Sequence, residues 1–148
     1  MKILWFDPGG TTGWCTFSCK EIHGPEGLEY VDMKWATGEI TGPDHHEAIE
    51  RLIEHQHSEM GYTLGYERWH LQKKSNGEER DGLDFMAPEY IGVIKLVAAK
   101  ERIMDRSMTF VSQMPSQRLW ADSTKLRIFD LWNQTRGFKD ARSAAQHM

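Results

Sequence analysis

Long apolar runs are missing from this chain of 148 residues, whose mean hydropathy is −0.61. Nothing in it approaches the roughly 18–20 consecutive apolar residues that a membrane-spanning helix needs, so no membrane partner is expected. The one apolar stretch near the start is interrupted by Asp7, which leaves nothing long enough to read as a signal peptide. Cysteine is scarce. Cys15 and Cys19 are the only two, and four residues apart on a strand they would stand about 13 Å from each other. That exceeds disulfide reach, so a reducing, cytoplasmic setting is expected. Positive charge is also short, with 18 Lys and Arg against 22 Asp and Glu. The shortfall is uneven. Residues 1–65 hold 4 cations against 11 acids, and residues 66–148 hold 14 against 11. A cationic half beside an acidic one is compatible with a phosphate-binding face, although a polarised, solvated surface has the same composition. Repeats, linkers and low-complexity tracts are absent too, so residues 1–148 are expected to form one domain able to bury a real core.

What is present begins with Lys2-Ile3-Leu4-Trp5-Phe6-Asp7-Pro8-Gly9-Gly10-Thr11-Thr12-Gly13-Trp14. Residues 3–6 read as a buried strand, too short and too β-rich for a helix. The Pro and Gly residues after it supply a tight turn in which backbone can approach a ligand closely. Asp7 stands where the core stops and solvent begins, rigidly held yet accessible, as a metal ligand must be. A hairpin turn and nothing more is the alternative reading of these residues alone.

A second apolar run over 14–17 is followed by a loop over 20–27 and a third strand over 28–40, where Tyr30, Asp32 and Lys34 alternate with Val31, Met33 and Trp35. Pro43-Asp44 opens a helix with Ala48, Ile49, Leu52, Ile53 and Met60 on one face. His45, His46, His55 and His57 crowd that helix without a recognised zinc spacing, and a solvated polar face accounts for them better. Residues 62–66 form a fourth strand ending on Glu67. The following Arg68-Trp69-His70-Leu71-Gln72-Lys73-Lys74 mixes cations with aromatics, as a backbone-tracking, base-stacking surface requires. A long helix over 88–104, a fifth strand over 108–111, a helix over 122–132 and a last helix from Asp140 complete the chain, which stops about one residue beyond that helix.

The order is therefore β-β-β-α-β-α-β-α-α. Acids end strands one and four, and another lies in the first turn of the final helix. If strand four pairs with the far side of strand one, Asp7 and Glu67 lie side by side and the last helix brings Asp140 across them. Clustered carboxylates repel unless a cation neutralises them, and hard oxygen ligands select Mg²⁺ or Mn²⁺. Two such ions stabilise both the attacking water and the leaving oxygen of a phosphodiester. These residues point to a metal-dependent nuclease.

The Asp7-to-Trp14 opening, the strand ending at Glu67 and the late Asp140-Ala141 pair together resemble the RuvC-type Holliday junction resolvases of the RNase H-like superfamily. The opening is the most specific of these motifs. The short polar form is most similar to versions encoded by bacteriophages. The resemblance implies an α/β, RNase H-like mixed five-stranded sheet flanked by helices. It implies a homodimer in the bacterial or phage-host cytoplasm that binds four-way DNA junctions and nicks them with two Mg²⁺ or Mn²⁺ ions. Carried over, Asp7, Glu67 and Asp140 are metal ligands and catalytic residues. Trp69 or His70 falls near an aromatic position at the junction, Lys125 contacts phosphate near the scissile bond, and Arg68, Lys73 and Lys74 join the DNA-binding set. The family carries a fourth ligand three residues before its last Asp, where this chain has Gly137. His147, seven residues after Asp140 and so on the same helix face, is a candidate substitute.

The same residues admit two other readings. A non-catalytic module of the same fold would bind branched DNA without cutting it. The Asp-x-Gly-x-Thr pattern also resembles the first phosphate loop of actin-like and sugar-kinase-like ATPases, which need a second domain and loop that 148 residues do not supply.

Overall fold

Successive side chains of the first strand enter two different hydrophobic cores, and this alternation sets the layers of the fold. The computed structural model describes residues 1–25, 27–56, 61–68, 86–104, 106–114, 123–128 and 130–148. Strand β1 (Lys2–Asp7) turns Leu4 and Phe6 to one side and Trp5 to the other, as the two-residue period of a strand requires. It lies at the centre of a five-stranded mixed sheet of order β3-β2-β1-β4-β5. Strands β2 (Thr12–Gly24) and β3 (Gly27–Ile40) run antiparallel beside it. Strands β4 (Tyr62–Glu67) and β5 (Met108–Gln113) lie parallel to it on the other side. The expected neighbouring of strands one and four is found, with Phe6 opposite Tyr66.

On one face, helices α1 (His45–Glu54) and α2 (Met86–Ile103) cover Leu4, Phe6, Leu64 and Tyr66 with Ile49, Ile53, Ile94 and Val97. Each such fully buried aliphatic or aromatic side chain contributes roughly 1.5–3 kcal/mol. On the other face, Leu126 of α3 (Ser123–Ile128), Leu131 of α4 (Leu131–Gln134) and Ala144 and Ala145 of α5 (Lys139–His147) close over Trp5 and Cys15. The small alanines let α5 lie close to the sheet. The result is an α/β fold of three layers. Both cysteines are free, and no helix among the described residues is long and apolar enough to cross a membrane.

Several expectations are corrected. The loop over 20–27 is instead the distal end of a long hairpin, paired as far as Gly24 opposite Gly27. Cross-strand hydrogen bonds there outweigh the weak local strand signal of Gly24 and Pro25. The regular alternation of the third strand fails at Asp32, whose φ of 54° accompanies a shift of register between Ser18 and Lys20. Met33 is exposed there, as are Leu28 and Tyr30 nearer the tip of the hairpin. The single helix over 122–132 is two, because Asp130 takes a left-handed conformation (φ 58°) between α3 and α4. His45 is not on a solvated face. It is buried and stacks on Tyr90 at 4.0 Å, while His46 pairs with Glu89 at 2.8 Å. His57, Met60 and Asp122 lie outside the described residues.

Candidate metal centre

Asp7 and Glu67 end adjacent parallel strands, one residue beyond the Phe6–Tyr66 pair. Both follow side chains of the α1/α2 core, so both point to the opposite face, beneath α5. Two features hold the start of α5 over them. Gly13, the partner of Asp7 on β2, has no room for a side chain: a Cβ there would stand 2.0 Å from the backbone carbon and oxygen of Asp140. Glu39 of β3 then accepts the Asp140 N–H at 2.9 Å and the Ala141 N–H at 3.4 Å. The residue preceding the helix, Phe138, makes no side-chain cap. Glu39 thus satisfies the free first-turn donors from 101 residues away.

From this start, Asp140, Ser143 and His147 follow at helical spacing along the face of α5 that meets the carboxylates. Ser143 hydrogen-bonds to Asp7 and lies 3.4 Å from Glu67 Oε2. His147 Nε2 is 2.6 Å from Glu67 Oε2, and Nδ1 is 3.0 Å from Gln113 Oε1. The His147 ring stacks against Trp5 at 5.7 Å with 11° between the planes. His147 is 4% exposed. It is no surface residue, and what it reaches is Glu67, across the sheet, rather than a position beside Asp140.

The electrostatics are those of a site short of positive charge. Burial, followed by the charges of Glu67 and Asp140, pushes Asp7 from the ordinary 3.8 up to about 6, against the Ser143 hydrogen bond and His147. Asp140 is raised by burial and by Glu39, and lowered by Lys139. Oxygen donors in such a setting have the chemistry that Mg²⁺ and Mn²⁺ select. Their arrangement is less complete. Among the described residues no three His, Cys, Asp or Glu side chains are grouped so as to hold a metal ion, and one oxygen of Glu67 faces His147. Asp7 and Glu67, with the Ser143 hydroxyl between them and Asp140 the third acid nearby, are the residues from which a divalent cation could be held.

Gly137 precedes the helix, with φ of 87° and nothing within 4 Å of where a side chain would begin. The position that faces Asp7 and Glu67 is three residues after Asp140, and it is Ser143. Arg68 is exposed and fixed, its Nε donating to Ser112 Oγ at 2.8 Å and its N–H to the Gln113 carbonyl at 2.7 Å. Lys125 is exposed on α3, on the same side of the sheet as the carboxylates. Trp69, His70, Lys73 and Lys74 lie outside the described residues. Glu39, Ser143 and Trp5 were not legible as site residues. Their roles depend on where α5 lands, and only the three-residue step from Asp140 to Ser143 could have signalled one of them. No protein-family model matches the chain, and a search of curated proteins finds no match.

Proposed function

We propose that this protein is a divalent-metal-dependent, structure-selective DNA endonuclease of RNase H-like fold that resolves four-way junctions in the manner of the RuvC-type resolvases. One observation carries the reading. Two acids from the ends of adjacent parallel strands meet under a helix that brings a third, and Asp7 is held there with its carboxyl raised to about 6. A carboxylate buried beside two other acids, and only partly offset by Ser143 and His147, destabilises a fold that it would merely support. Asp7 and Glu67 would hold the cation, with Asp140 beside them. When bound, it polarises a phosphodiester and activates water. Ser143 orients both carboxylates, Glu39 and Gly13 set the height of α5, and Trp5 with Gln113 holds the imidazole of His147 against Glu67. Lys125, Arg68, Trp69, His70, Lys73 and Lys74 form the proposed DNA-binding set, acting in the cytoplasm.

A second copy fits the outer face of α2. Gly92, Leu96, Ala99 and Ile103 recur there at coiled-coil spacing, with Leu96 60% and Ile103 85% exposed. An antiparallel copy would set Gly92 against the partner's Ile103 and Leu96 against the partner's Ala99, small against large in both directions. The cations of that helix turn aside, Lys100 to Glu50 at 3.1 Å and Lys95 and Arg102 over the rings of Tyr66 and Phe110.

Junction cleavage assayed with Mg²⁺ and with Mn²⁺ tests the proposal, and metal-dependent nicking that Asp7→Asn abolishes is the expected result. A second reading rests on Ser143, a hydroxyl where a further acid would complete the site, and on His147 against Glu67. On that reading the protein binds junctions and leaves them intact. Nucleotide turnover without DNA cleavage would favour the kinase-like alternative instead.

A further inference from the structure

At the end of the sheet remote from Asp7 and Glu67 lies a cavity of about 800 Å³, bounded by Lys2, Ser18, Lys20, Glu21, Asp32 and Lys34 and rounding the starts of β4 and β5 at Thr63 and Thr109. Five steps of β1 at about 3.3 Å each put it roughly 16 Å from the carboxylates, so the two sites are separate. Its volume is within the roughly 300–1,000 Å³ of small-molecule sites.

Charge within it is arranged unequally. Lys20 is bound to Asp32 at 2.7 Å, and the Met1 amino group stands 3.6 Å from Glu21. Both acids of the cavity are thereby answered. Lys2 and Lys34 lie outside those two close pairs; Lys34 also acts on Asp32 and helps Lys20 hold its carboxyl low, so the lining carries two more cationic groups than acids. Their placement follows from register. Lys2 is opposite Ser18 and Ser18 is opposite Lys34, so the three side chains form one row on one face of β1, β2 and β3. Neighbouring members of such a row start about 5 Å apart. The two lysine side chains therefore rise from either side of a hydroxyl, and both can reach one anion placed over it. A concave wall concentrates that potential, on a chain whose net charge is −4.

We propose that this cavity is an anion site that binds a phosphate group over Ser18, between Lys2 and Lys34. Phosphate suits it because its oxygens accept from two ammonium groups and a hydroxyl together, and because its double charge matches the lining's excess of two cationic groups over acids. The group comes either from a free nucleotide or from nucleic-acid backbone. The site is independent of the nuclease reading, since it shares no residue with the carboxylates.

The test is an amide NMR titration of the protein in EDTA, first with pyrophosphate and separately with a blunt ten-base-pair duplex, each at constant ionic strength. Shifts at Ser18, Lys34 and Thr63 that saturate are expected. Saturation with pyrophosphate assigns a free phosphate compound, and saturation with the duplex alone assigns DNA backbone. Lys2→Gln together with Lys34→Gln should weaken binding at least tenfold while leaving the rest of the spectrum in place. No shift with either probe, or shifts undiminished in the double variant, would overturn the proposal.

Discussion

Replacing Asp7 by Asn should make the metal-free protein more stable above pH 6. The side chain keeps its shape and can still accept from Ser143, but it no longer carries a charge into a buried site beside Glu67 and Asp140. A carboxyl moved from 3.8 to about 6 corresponds to about 3 kcal/mol of differential stabilisation. The sign follows from proton counting. Between pH 3.8 and 6 the folded wild type binds more protons than the unfolded chain, so its stability falls as pH rises through that window. Above it the deficit is constant. The variant lacks this contribution, so the two proteins should be alike near pH 4 and diverge by up to about 3 kcal/mol at pH 7–8. For a chain of this length that is roughly 6–12 °C in Tm. Urea denaturation in EDTA at several pH values measures it, with equal slopes required for the comparison. Millimolar Mg²⁺ should then stabilise the wild type and narrow the gap, because a ligand that binds only the folded state adds its binding free energy. Parallel pH profiles in EDTA, or a variant less stable at pH 8, would refute the reasoning that Asp7 is an uncompensated buried charge.

Glu67→Gln and Asp140→Asn should each lower metal-dependent junction cleavage at least a hundredfold with junction binding kept, as gel shifts in EDTA would show; near-normal cutting strikes that residue from the site. Ser143→Asp should lower the Mg²⁺ concentration needed for half-maximal cleavage and destabilise the EDTA-treated protein, since a further acid joins Asp7 and Glu67. His147→Ala should cost about 1–3 kcal/mol through the lost Glu67, Gln113 and Trp5 contacts without raising the metal requirement, and a raised requirement would make His147 a ligand. Gly13→Ala should displace the start of α5 and cost about 1–3 kcal/mol by overpacking, with faster amide exchange at Ala141; an unchanged exchange rate would mean the helix has slack there.

Much of this protein is determined by its sequence alone. Short alternating runs ended by Asp7 and Glu67 declare two buried strands with acids at their ends, because strand periodicity and the limit of the apolar run are local properties. The spacing of Ile49, Leu52 and Ile53, and of Ile91, Ile94 and Val97, likewise declares the two helices of one face. Tertiary structure decided the rest. Residues 20–24 are strand because β3 pairs with them, and the helix expected over 122–132 breaks because Asp130 adopts a backbone conformation that its sequence does not demand. The membership of the candidate site was decided in the same way. Asp140 was readable as an acid near a helix start, yet Ser143, His147 and Glu39 became neighbours of the carboxylates only when α5 settled on Gly13. A contact spanning 76 or 101 residues leaves no periodic trace in the chain, since it depends on the height and rotation at which one packed element meets another.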